Sequence, residues 1–216
     1  KEDRSMSLDA KELNARFRDA DPQEIVNWAL SLNDEAIVST NFRPQEAVVL
    51  NMCTKARADV PVLWADSGYM MDETYRFAEK AIEQLKLNVK VYTPLVTRTR
   101  REAVHGIFVP DLDKEDEIEA FSEEVKLEPF RRALSEMAPK VWVTSLRKEQ
   151  NPFRETLDIV SIEGDLVKVN PLFYWTDEQM NQYLADNNLP NETIYFDPTK
   201  VSEKRECGLH KPTFNK

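Results

Sequence analysis

Four short apolar runs, at 36–40, 60–66, 89–92 and 141–145, are separated by amphipathic segments at 45–57, 72–85 and 127–137. Runs of this length with helical spacers belong in a sheet covered on both faces, so the expected fold is α/β. A mostly parallel, twisted sheet with helices on both faces is predicted. Residues 159–162 and 166–169 flank Glu163-Gly164-Asp165 and predict a hairpin at or near the sheet edge. Thr176-Asp177-Glu178-Gln179 has the capping-box pattern and opens a last helix to about Asp186. Two helices, near 8–18 and 22–32, precede the first strand, with Asp21 as an N-cap. Three parts are expected: N-terminal helices over 1–30, an α/β body over 31–196, and a tail over 197–216 that is mobile unless it docks.

Composition removes several functions. A hydrophobic content of 41% is ample for a core and excludes wholesale disorder. The four glycines, Gly68, Gly106, Gly164 and Gly208, are never neighbours, which excludes a G-x-G-x-x-G fingerprint and a Walker loop. Two cysteines, Cys53 and Cys207, cannot build a four-thiolate zinc site or iron–sulfur cluster within one chain, so no metal site is expected. Nor do they make a disulfide framework, which fits a reducing compartment. A net charge of −10 argues against a general nucleic-acid binder. Nine acids against two lysines over 111–128 read as a solvated helix and loop, while 198–216 carries five bases against two acids. An acidic body with a basic tail suits a small anionic ligand held locally. No apolar run approaches the roughly 20 residues of a membrane span, and no charged-then-apolar leader opens the chain. The expectation is a soluble, cytoplasmic protein without a membrane partner.

In open parallel sheets, ligands sit beyond the carboxyl ends of the strands. The first run ends Ser39-Thr40-Asn41-Phe42-Arg43-Pro44, with Pro44 suited to a first helical turn. Its hydroxyl and amide donors fit an anion site and a purely structural cap equally well. The second ends Asp66-Ser67-Gly68-Tyr69, where Gly68 allows close backbone approach and Asp66 can meet an adenine or ribose donor. The same triplet is ordinary turn chemistry. The fourth ends Ser145-Leu146-Arg147-Lys148-Glu149-Gln150, followed by Arg154. Crowded cations at a strand end call for an anion between them, and a guanidinium fork suits phosphate or sulfate. In the tail, Lys204, Arg205 and His210 surround Cys207, a setting that lowers a thiol pKa, with Glu206 opposing it. Cys53 falls on the apolar face of a predicted helix and reads as a small core residue.

The tail sequence Lys-Arg-Glu-Cys-Gly-Leu-His at 204–210 resembles the signature of the assimilatory sulfonucleotide reductases, the phosphoadenylyl-sulfate reductases. Asp66-Ser67-Gly68-Tyr69 with Glu73–Phe77, the segment 145–150, and Lys168-Val169-Asn170-Pro171-Leu172 with Trp175 resemble further motifs of that family in the same order. The resemblance implies an adenine-nucleotide α-hydrolase-like fold, usually a homodimer. It also implies reduction of an activated sulfate to sulfite by Cys207, with S-sulfocysteine resolved by thioredoxin or glutaredoxin. Ser39, Asn41, Phe42, Arg43, Asp66, Gly68, Arg147, Lys148, Gln150, Arg154, Lys204, Arg205 and His210 would then line the substrate site.

Two departures stand out. Arg43 occupies the place of a glycine in the family's Ser-x-Ser-Phe-Gly loop, and the stretch before the tail is shortened to Asp197-Pro198-Thr199-Lys200. The paired cysteines of the cluster-bearing, adenylyl-sulfate branch are missing, which points to the 3′-phosphorylated substrate. A cluster-free adenylyl-sulfate reductase and a non-catalytic adenine-nucleotide sensor are the alternatives. An ATP-pyrophosphatase would need a Ser-Gly-Gly-x-Asp-Ser loop.

Overall fold

The computed structural model describes residues 8–106, 109–110, 114–150 and 152–199. Lys204, Arg205, Cys207 and His210 therefore lie outside the described residues. Among the described residues six strands form one sheet: β1 (Ala36–Thr40), β2 (Pro61–Ala65), β3 (Asn88–Tyr92), β4 (Val141–Val143), β5 (Val160–Glu163) and β6 (Leu166–Val169). Their order is β3-β2-β1-β4-β6-β5, and only β5 runs antiparallel to its neighbour. Val38 of β1 pairs with Val62 on one side and Val143 on the other. The chain winds outward from β1 to β2 and β3, then crosses back to β4. The β1/β4 crevice is thus the switch point at which such sheets hold ligands.

Strand alternation decides which helix covers which face. Val38, Val62, Trp64, Val143 and Val169 pack in one core with α2 (Pro22–Leu32), α3 (Ala47–Ala56), α4 (Asp72–Leu85) and α8 (Asp177–Asp186). Ile37, Leu63, Ala65 and Trp142 point the other way, onto Phe130 and Ala133 of α7 (Glu128–Met137). Helices on both faces, the hairpin and the capping box all agree with the sequence reading. At the edge, the Asn14 amide of α1 (Ala10–Phe17) donates to the Val160 carbonyl and accepts from the Val160 N–H. It occupies backbone groups that an edge strand otherwise leaves open.

Three features depart from expectation. Residues 98–105 form α5 (Arg98–His105), which has no buried residue and therefore no apolar periodicity to read. The acidic stretch is not wholly solvated. Ile118 and Phe121 of α6 (Glu115–Ser122) and Val125 of the following π-helical turn, Glu123–Leu127, are buried. Finally, Pro44 lies in a turn ahead of α3 rather than in its first turn, because Phe42 and Gln45 take left-handed φ of 49° and 69°.

Candidate functional site

The β1–α3 loop closes around one carboxylate. Glu46, 4% exposed, accepts from Thr40 Oγ1 at 2.6 Å and from the Asn41 N–H at 2.8 Å on Oε2. Its Oε1 accepts from Ser145 Oγ at 2.8 Å and lies 3.0 Å from Arg43 Nε. Arg43 also donates to the Ser145 carbonyl at 3.2 Å. The loops leaving β1 and β4 are thereby tied across the switch point. The Phe42 ring is core, edge-on to Trp64 with centroids 4.9 Å apart, so only its backbone belongs to the loop. Ser39 Oγ accepts from Trp142 Nε1 at 2.8 Å, and the half-buried Asn41 is the first residue of the loop after β1.

After β2, Asp66 Oδ1 accepts from the Gly68 N–H at 2.9 Å and from the Tyr75 hydroxyl at 2.8 Å. Burial, with Asp66 alongside, pushes the Tyr75 phenol up, so it stays a donor. Asp66 Oδ2 takes no hydrogen bond from the described residues and is half-buried at the strand end. Gly68 is required by its φ of +76°. A Cβ there would sit 3.7 Å from Arg98 Cβ, an ordinary van der Waals distance, so the backbone and not crowding excludes a side chain.

Of the cations after β4, Arg147 has its counter-charge within the protein. Arg147, 6% exposed, donates to Asp177 Oδ1 at 2.6 Å, Gln45 Oε1 at 3.0 Å and the Trp175 carbonyl at 3.2 Å. Gln150 Oε1 accepts from the Arg147 N–H and from the guanidinium of buried Arg154. The expected anion between these cations is therefore, for Arg147, the Asp177 carboxylate at the start of α8. Lys148 is half-buried, with Nζ 6.0 Å from the Tyr174 ring centre. Sequence reading missed Asp177 as a partner and also missed α5, whose Arg98 donates to the Gly68 carbonyl at 3.4 Å. The clustered Thr97-Arg98-Thr99-Arg100-Arg101 was the available signal.

Hydrogen bonding from Arg147 holds the Asp177 carboxyl below the usual aspartate range. A lowered folded-state pKa stabilises the fold above the unfolded pKa, and the gain is lost as pH falls through the folded one. Asp177→Asn is expected to lower the melting temperature at pH 7, with the difference shrinking below about pH 4. Calorimetry at both pH values checks this; a difference unchanged at low pH would exclude the ion pair as its source.

Cys53 is fully buried on α3, and desolvation pushes its thiol far above the ordinary range. It is expected to resist iodoacetamide in the native protein and to react on unfolding. Cys53→Ala should cost about 1 kcal/mol in urea titrations, the scale of one small buried group lost. Labelling of native Cys53 would contradict this. Among the described residues, no three His, Cys, Asp or Glu side chains converge as metal ligands, and no helix is long and apolar enough to cross a membrane.

The doubly wound, mostly parallel sheet, with its loops after β1 and β4 meeting at the switch point, is the fold of the adenine-nucleotide α-hydrolase-like proteins. The fold is shared with FMN adenylyltransferase of Candida glabrata in complex with ATP. Its TM-score is 0.53 at 18% identity, over 79% of this chain and 55% of that one. The model of the phosphoadenosine phosphosulfate reductase domain matches residues 35–198, and the chain belongs to that family. Phosphoadenosine 5′-phosphosulfate reductase of a Synechococcus species is 34% identical over 92% of this chain and 96% of its own length. Its Xanthomonas oryzae namesake is 36% identical over 94% and 92%. The crystal structure of phosphoadenylyl-sulfate reductase from Candida auris, a phosphate complex, superposes with a TM-score of 0.72. It is 25% identical over 87% of this chain and 91% of that one.

Proposed function

We propose that the chain reduces 3′-phosphoadenylyl sulfate to sulfite and adenosine 3′,5′-bisphosphate, with reduced thioredoxin or glutaredoxin as electron donor. The family match over residues 35–198, with like-named relatives along more than nine-tenths of the chain, carries this reading. Cys207 thiolate attacks the sulfate sulfur; an S–S bond forms and the S–O bond to the phosphate breaks, releasing the nucleotide. A redoxin thiolate then attacks Cys207 Sγ, sulfite leaves with the bonding pair, and the redoxin's second thiol resolves the mixed disulfide.

Asp66 Oδ2, beside Gly68, accepts from adenine or ribose in this reading, with Ser39 and Asn41 across the β1 end. Lys148, Lys204, Arg205 and His210 supply positive charge for the phosphate and sulfate oxygens and for the departing anion. Arg43, Arg147, Gln150 and Arg154 act one step back, by shaping the loops that present those groups. The reading includes a homodimer and a reducing cytoplasm, where a redoxin keeps the cycle running. It uses no cluster or other resident cofactor.

Intact-protein mass spectrometry tests it. Reduced protein is mixed with each sulfonucleotide and no redoxin. One sulfonate on Cys207 is expected from the 3′-phosphorylated donor, and reduced thioredoxin should remove it. No adduct from either donor would overturn the mechanism. Faster reaction with adenylyl sulfate would overturn the substrate assignment.

A further inference from the structure

We infer that Glu46 is the resident anion of the β1 loop, a specificity-determining residue that closes this cradle to a phosphate or sulfate group. Four donors converge on its buried carboxylate: the Thr40 hydroxyl, the Asn41 N–H, the Ser145 hydroxyl and the Arg43 guanidinium, all within 3.0 Å. Hydroxyls, a backbone amide and a guanidinium at the end of a central strand are the donor set that a tetrahedral oxyanion takes. They come from both sides of the switch point, the position where a doubly wound sheet presents its ligand. Here both carboxylate oxygens carry two donors each, so the set is consumed before a ligand arrives.

The loop backbone follows from this. Phe42 and Gln45 are held at positive φ although neither is glycine, and the outcome is to bring Glu46 back under Thr40 and Asn41. Arg43 belongs to the same unit. A guanidinium at the mouth of an empty cradle would attract phosphate, whereas one beside Glu46 is neutralised and turned onto the Ser145 carbonyl. The consequence for the substrate rests on the sulfonucleotide reading: its phosphate and sulfate oxygens are held outside the β1 loop. The inference about the cradle does not depend on turnover.

Calorimetric titration with inorganic phosphate and with sulfate therefore tests it separately from sulfite formation. Glu46→Ala is expected to bind phosphate at least about tenfold tighter than wild type, the scale of one added charge-assisted hydrogen bond. Adding Arg43→Ala to that variant should return the affinity to the wild-type level. Glu46→Gln keeps the shape and removes the charge, so it decides the matter if Glu46→Ala does not fold; a smaller rise in affinity in the same direction is expected. Lowered stability without tighter phosphate binding in the folded Gln variant would reduce Glu46 to a structural tie and overturn the proposal. So would wild type binding phosphate as tightly as Glu46→Ala. With the sulfonucleotide, Glu46→Gln should move KM more than kcat, and an equal fall in both would likewise count against a specificity role.

Discussion

Cys207→Ser is expected to abolish sulfite formation while leaving nucleotide affinity within a small factor of wild type. A serine hydroxyl is un-ionised near neutral pH and, unlike a thiolate, is a poor nucleophile towards sulfur. Turnover should therefore fall by on the order of 10⁴-fold or more. Binding should survive because the groups assigned to the nucleotide after β2 and β4, Asp66, Gly68 and Lys148, are held in place without the tail thiol. The contrast with Cys53 makes the test specific. That thiol is buried on α3 and held protonated, so it cannot substitute. Sulfite release assayed with reduced redoxin, beside calorimetric nucleotide binding, reads both halves. Retained turnover would show that the sulfur of Cys207 is not the nucleophile.

What was legible in the sequence was whatever a local pattern encodes. The apolar runs at β1 and β2 announced themselves because parallel strands buried on both faces must be apolar almost throughout. The β5–β6 hairpin was carried by its Glu163-Gly164-Asp165 turn, and α8 by a capping box whose reciprocal bonds both form. Helix α5 escaped because its eight residues bury none, so charge alone marks it.

The site was harder to read, for a different reason. Its roles are set by pairings across long stretches of chain, and charge at a strand end does not say where the counter-charge lies. Arg147 looked like an open anion receptor until Asp177, 30 residues later, supplied the partner. Arg43, in the place of a loop glycine, looked like a substrate-lining residue until Glu46 and Ser145, the latter 102 residues away, gave its guanidinium a place. Phe42 sits in a loop, where periodicity offers no signal, yet it is among the most buried side chains.

The same long-range logic predicts the largest loss of stability, at Lys126. The π-helical turn Glu123–Leu127 buries this ammonium, 2% exposed, against Asp197 Oδ2 at 2.5 Å and Thr199 Oγ1 at 3.2 Å. Asp197 is itself buried, and its Oδ1 accepts from the Thr199 N–H and hydroxyl. Because α7 leads into the start of β4, the turn preceding it lies toward the carboxyl ends of the strands, the side of the sheet where Asn41 and Asp66 sit. Lys126→Met would take this ammonium away from the buried Asp197 carboxylate, a cost of about 3–5 kcal/mol. Urea titration should show that loss, and Lys126→Met combined with Asp197→Leu should recover much of it, since both members of this ion pair are then apolar. The pair also fixes Asp197 and Thr199, at the end of the described residues. Cys207, the proposed nucleophile, lies eight residues beyond Thr199, a chain length of at most about 29 Å. If Lys126→Met cost less than about 1 kcal/mol, the pair would rank with exposed surface bridges and could not be what holds Asp197 and Thr199 in place.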